Sequence, residues 1–208
     1  MVPIKTAGGE AKAWGIISTL EPERVQKEAG VFYDRASGIY TLKCFGVEFC
    51  VAPHDKEILC PSPAGDLFLD KLKDFFRLSV LWYLTHAKDI PLSGRLIRPI
   101  DVKGGHRFFT GTHLLPLDNI AEKYGKDREG FIRRGMKFGG EPYHYGDASI
   151  KLLPFARVPV YVILWLEDPE FPSRVDLLFD STCEFHIPLS DIVWATSMMS
   201  VLVMLLEV

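Results

Sequence analysis

The chain is poor in the residues that usually announce a chemistry. Its 208 residues hold four cysteines, Cys44, Cys50, Cys60 and Cys183. None stands in Cys-x-x-Cys spacing and no histidine follows at finger spacing, so these thiols do not read as a zinc or iron–sulfur set. No secretory leader opens the sequence; a cytoplasmic setting is therefore expected, with the thiols reduced and packed as small apolar side chains. The longest apolar tract, Val193 to Leu206, is broken by Thr196, Ser197 and Ser200 and is short of a bilayer crossing, so no membrane partner is expected. One-sided charge is lacking too: a formal net charge of −3 does not mark a nucleic-acid binder. Gly-x-Ser-x-Gly, His-Glu-x-x-His, a P-loop and a Rossmann fingerprint are all missing, which leaves no catalytic signature.

What charge there is lies unevenly. Residues 88–157 carry 13 Lys and Arg against 8 Asp and Glu, a balance of +5. Residues 158–208 carry a single basic residue against 8 acidic ones, a balance of −7. Such a division suits either an anionic ligand on the basic part or two surfaces that complement each other.

With 48% hydrophobic residues the chain can bury one sizeable core. A Gly-rich stretch, residues 1–13, reads as a loose arm, and residues 14–208 as a single domain. Pro22 to Gly30 predicts a short helix, with proline near its start and glycine as its stop. Val31–Asp34, Ile39–Phe45, Val47–Ala52 and Glu57–Cys60 predict an antiparallel β-layer. Leucine and aromatic residues recurring at three and four predict a long central helix from Leu67 to about Ala87, with Asp66 as its N-cap. Two short helices follow, Leu117–Tyr124 and Asp127–Lys137, and Ser190 or Asp191 opens a C-terminal helix. Val158 to Leu166 is apolar on both alternating faces, the mark of a strand covered on each side. Pro154 and Pro159 cannot donate to a ladder and are expected at strand ends or on an edge. The class is α+β, an antiparallel or mixed sheet packed on the central and C-terminal helices.

Two glycine-broken loops supply the candidate site. The first, Gly104 to His113, offers His106, Arg107 and His113 beside backbone amides able to approach an anion. The second, Phe138 to Asp147, offers His144, Tyr145 and Asp147 immediately before a strand, where binding groups commonly sit. His144 and Asp147 are candidates to orient each other or to hold a metal. Arg134 and Arg157 are added as cations for a small, possibly anionic, ligand. The expectation is that both loops converge beside the Val158–Leu166 ribbon to form one polar-walled hollow.

Tyr145-Gly-Asp147, Leu153-Pro154, Arg157-Val-Pro-Val160, Trp165, Phe171-Pro172 and Leu178-Phe-Asp-Ser181 together resemble a domain-of-unknown-function family of anaerobic bacteria and archaea. Gly104-Gly105, Phe108-Phe109, Gly111, Pro116-Leu117 and Ala121 to Gly125 fit the same family. Some of its members carry a cysteine-rich iron–sulfur segment beside this domain; that segment is missing here, so no cluster is expected in this chain. The resemblance implies anaerobic redox or one-carbon metabolism, and with it a tetrapyrrole, corrinoid or haem, as a candidate cofactor. It assigns no catalytic residue. The leading expectation is thus a ligand- or cofactor-binding module. The alternatives are a subunit docking a redox partner, such as an iron–sulfur protein, through its acidic C-terminal surface, and a metal-assisted His/Asp hydrolase.

Overall fold

The computed structural model describes residues 6–206 and places their strands in two antiparallel sheets. The first sheet is a meander of β1 (Phe32–Asp34), β2 (Ile39–Cys44), β3 (Val47–Ala52) and β4 (Glu57–Leu59), paired in that order. The second takes β5 (Leu96–Ile97), β6 (Glu141–Tyr143), β7 (Ala148–Phe155), β8 (Val158–Trp165) and β9 (Arg174–Asp180) in the order β5-β9-β8-β7-β6. The class is α+β, as the sequence implies.

The apolar ribbon is β8, the middle strand of five. Val160, Val162 and Leu164 face the core, and Tyr161 and Ile163 on the opposite face are buried as well. Pro154 and Pro159 lie at strand ends, as expected: Pro154 is the penultimate residue of β7 and Pro159 the second of β8, on either side of the turn between them. They share the β-bulge where the β7–β8 register shifts between Leu152 and Phe155, so neither missing N–H breaks a ladder bond.

The helices depart from expectation in two places. Residues 6–13 are not loose: they belong to α1 (Thr6–Ile17), which buries Trp14 and Ile17 and ties Glu10 to Arg77 at 2.6 Å. Its three glycines, Gly8, Gly9 and Gly15, cost a helix about 1 kcal/mol each, but tertiary packing overrides that here, and a Cβ on Gly9 would lie 3.3 Å from Leu78. Residues 1–5 of the expected arm lie outside the described residues.

The long helix from Leu67 is also interrupted. A π-helical turn spans Leu67–Lys71, Leu72 leaves helical geometry at ψ 5°, and α3 runs only from Lys73 to His86. Asp66 makes no side-chain cap. The wider turn places Phe68 among the rings of Phe45, Phe49, Phe76 and Phe138, a cluster that a continuous α-helical register does not require.

Four helices follow the sequence closely: α2 (Pro22–Ala29), α5 (Leu117–Tyr124), α6 (Arg128–Lys137) and α8 (Ser190–Leu205); α4 (Gly105–Phe108), inside the first glycine loop, and α7 (Cys183–His186), where the sequence reads as a brief extension, are single turns it does not place. Asp127 caps α6 by accepting the Gly130 N–H at 2.8 Å. The two sheets meet where the Phe45 N–H donates to the Leu153 carbonyl at 2.8 Å. Gly46 and Gly139 pass each other there, each at positive φ, and a Cβ on Gly139 would stand 2.8 Å from the Gly46 Cα. Only glycine fits such a crossing.

Candidate functional site

The two glycine loops do not share a wall. The Gly104–His113 loop follows β5, at one edge of the second sheet, and the Phe138–Asp147 loop forms β6 and its turn at the other edge. His106 is exposed, with its Nε2 3.8 Å from Asp101, and Arg107 is exposed beside it. His113 stacks on Phe108 at 4.3 Å between centroids, and its carbonyl accepts the Trp194 indole N–H at 2.7 Å. It lines a hollow of about 440 Å³ with Phe75, Pro116, Trp194, Met198 and Leu202, none of which belongs to the second loop.

The two arginines hold helix ends. The Arg157 guanidinium donates to the carbonyls of Glu28 at 2.7 Å and Lys27 at 2.9 Å and pairs with Asp89 at 2.7 Å, closing the carboxyl end of α2. Arg134 donates to the Val203 carbonyl at 2.6 Å and to that of Leu206, and lies over the Phe138 ring. Lys123 donates to Leu205 and Tyr124 to Met204, so three side chains of the basic middle cap the last turn of α8. A helix whose own last turn has no basic residue receives its cations from α5 and α6. These cations of the basic part thus serve the backbone of α8 inside one molecule.

In the second loop, His144 and Asp147 do not bond. The His144 ring lies against Tyr143 and Tyr145, while Asp147 Oδ2 accepts the Leu166 N–H at 2.8 Å. Tyr143, Tyr145 and Tyr161 form a ring cluster on the outer face of the sheet. Burial first, and then the neighbouring Tyr143 and Asp180, push the Tyr161 hydroxyl up to about 12. Gly146 lets the turn fold back on β8: its φ is +58°, and a Cβ there would meet Ile163 at 2.7 Å and the Leu164 carbonyl at 2.9 Å.

That fold-back builds a hollow at the end of β8. About 420 Å³ is enclosed by Asp147 from the β6–β7 turn and by Trp165, Leu166, Asp168, Phe171, Pro172 and Arg174 from the end of β8, the following loop and the start of β9. Trp165 and Leu166 are its half-buried floor, and Asp147, Asp168, Phe171 and Arg174 its exposed rim. Trp165 is fixed twice: its indole N–H donates to Asp176 at 2.9 Å, and the Arg174 guanidinium lies 4.8 Å from its ring centroid. Asp168 Oδ1 accepts the N–H groups of Glu170 and Phe171, each at 2.8 Å, a carboxylate turn that sets the loop. Of the candidates read from sequence, Asp147 alone lines this hollow. Trp165, Phe171 and Arg174 are missed by the sequence reading; an aromatic residue shortly before an acidic, proline-bearing turn is the signal that marks them.

Two buried groups also escape a sequence reading. Asp180 accepts from Ser93 N and Oγ, Gly94 N, and Thr182 N and Oγ1 at 2.7–3.1 Å, fastening the segment before β5 to β9. Burial raises its pKa, but the hydrogen bonds from Thr182 and Ser93 outweigh that and hold the carboxyl below its usual range. His186 is fully buried on α7. Its Nδ1 accepts the Lys88 N–H at 3.2 Å, so the proton sits on Nε2, which has no partner. Burial, then the charge of Arg157, push its pKa down to about 4.

Two of the cysteines are buried packing groups, and Cys50 and Cys60 are half-buried: burial drives the Cys44 thiol well above its ordinary value and Cys183 up to about 12. Among the described residues no three His, Cys, Asp or Glu side chains group closely enough to hold a metal ion, and no helix is long and apolar enough to cross a membrane.

Comparison with curated proteins and with solved structures gives no match. A family model does match, over residues 21–201, from Glu21 in the turn before α2 to Val201 in α8 and so across both sheets: the chain belongs to the family described as Domain of unknown function (DUF3786).

Proposed function

We propose that the chain is a small-molecule-binding module and that its site is the hollow at the end of β8. The observation that carries this is the combination of an aromatic floor, Trp165, with a rim that holds a second aromatic ring, Phe171, and three charged groups, Asp147, Asp168 and Arg174. Ligand sites are commonly hollows of about 300–1,000 Å³ with largely apolar walls and a few placed polar groups. No serine, cysteine or histidine lines this one. For the same reason a tetrapyrrole held by an axial histidine draws no support from it. An aromatic ring held by both a hydrogen bond and a guanidinium is preorganised, which lowers the entropic cost of binding.

A thermal-shift screen of small metabolites against the wild type and Trp165→Ala tests the proposal. Ligands of the hollow raise the wild-type Tm by at least about 2 °C, as expected at ligand concentrations well above Kd, and leave the variant unmoved. Hits that stabilise both proteins equally bind elsewhere and would remove the hollow as the site.

A further inference from the structure

We infer that the ligand of this hollow is a small zwitterion, with an ammonium group against Asp147 and Asp168, an anionic group on Arg174, and an apolar body against Trp165 and Phe171. The inference rests on the reading of the hollow as the ligand site and names the class of molecule that fits it.

The argument begins with which charges are already neutralised. Two acids beside the hollow are already engaged: Glu167 pairs with Lys126 at 2.9 Å, and Asp176 takes the Trp165 indole N–H. Asp147 and Asp168 differ. Each is held in position by backbone N–H groups on one oxygen, and neither forms an ion pair among the described residues. Each therefore presents its second oxygen without a cation. Arg128, the nearest base on α6, gives its Nε to the Asp147 carbonyl rather than to the carboxylate.

Arg174 is the complementary case. It is the only Lys or Arg between residues 158 and 208. It lies flat over Trp165 and forms no ion pair among the described residues, although Asp168 lines the same hollow. A guanidinium stacked on an indole keeps its N–H edge for a planar anion such as a carboxylate.

A ligand must satisfy this pattern of two negative groups and one positive group. A polyphosphate would meet two carboxylates at the rim, and a simple cation would leave Arg174 unmatched. A molecule carrying both an ammonium and a carboxylate matches both signs, and its apolar portion covers Trp165 and Phe171. A free α-amino acid with an apolar side chain is the simplest member of the class. This is the reverse of the anionic ligand expected from the basic middle of the sequence, whose Lys123 and Arg134 instead cap α8.

Calorimetric titration of the full chain with L-phenylalanine, phenethylamine and 3-phenylpropionate tests the class, since the three share a ring and differ in charge. Phenylalanine is expected to bind about tenfold or more tightly than either singly charged analogue, the ratio set by one extra charge-assisted contact. In Arg174→Met the preference for phenylalanine over phenethylamine disappears. In Asp147→Asn/Asp168→Asn, whose amide oxygens still accept the backbone N–H groups, the preference over phenylpropionate disappears. If either analogue equals phenylalanine in the wild type, the zwitterion is wrong and the hollow still stands. If none of the three binds while a metabolite from the screen stabilises the wild type and not Trp165→Ala, the class again falls alone. If none binds and the screen yields no such ligand, both readings fall.

Discussion

His186 makes the protein's stability depend on pH in a window that opens near 6.5, above the range in which ordinary carboxylates titrate. Its imidazole is fully buried, accepts the Lys88 N–H, and faces the positive charges of Arg157 and Lys88 and the negative charge of Asp180. Its pKa is about 4 in the folded chain against 6.5 for the free side chain. A group with a depressed folded pKa binds fewer protons folded than unfolded, so stability falls as pH drops below 6.5 and the loss is complete near pH 4. The displacement corresponds to about 3 kcal/mol in full, and to about 1 kcal/mol by pH 5.5. Against a total stability of about 5–15 kcal/mol that is a large share. His86, also lowered mainly by burial, adds a slope of the same sign. The assay must therefore subtract it: urea unfolding of the wild type and of His186→Asn at pH 7.5, 5.5 and 4.5. Asparagine keeps an acceptor near the position of Nδ1 but carries no titrating group. The variant is expected to be less stable at pH 7.5, because of the volume removed, and to lose about 3 kcal/mol less than the wild type on reaching pH 4.5. Parallel pH profiles for the two proteins would refute the buried neutral imidazole.

Three further outcomes follow from individual contacts. Asp180→Asn removes the charge from a carboxylate that accepts from Ser93, Gly94 and Thr182, and is expected to destabilise the chain by about 2–4 kcal/mol in denaturant melts. Arg134→Met leaves the Val203 and Leu206 carbonyls without that donor; a loss of about 1–3 kcal/mol and faster amide exchange at the end of α8 are expected, and unchanged exchange would show that the cap carries no energy. Gly146→Ala forces a side chain onto Ile163 and Leu164 at positive φ, with a cost of about 1–3 kcal/mol, and displaces Asp147. Its binding defect in the phenylalanine titration should exceed that of Asp147→Asn.

How much of this could be read in advance varied with the range of the interaction. The central place of Val158–Leu166 was legible because a strand apolar on both faces has to be covered twice, and β8 is. The meander of the first sheet was legible from its turns. The break at Leu72 was not, because Leu67, Phe68, Leu72 and Phe76 are apolar in either register and only the ring cluster around Phe68 selects the π-turn. The site was half legible. Asp147 stood out beside glycines, but local sequence holds no record of which loop it will meet. It met Trp165 to Arg174, close along the adjacent strands, rather than His106 and Arg107 across the sheet. Asp180 was invisible for the same reason: Ser93, which gives it two of its bonds, lies 87 residues away.

The chain's four tryptophans provide the most direct test of the hollow, since one is its floor. Trp14 donates to Glu10, Trp82 packs on His86, Trp194 lines the separate apolar hollow near His113, and Trp165 alone lies at the end of β8. Their four indole N–H signals in a nitrogen–proton correlation spectrum, followed during titration with phenylalanine, separate these places in one experiment. The account predicts that the Trp165 signal moves, with the Asp147 and Asp168 amides, while Trp194 stays fixed. Movement at Trp194 with Trp165 unchanged would contradict it.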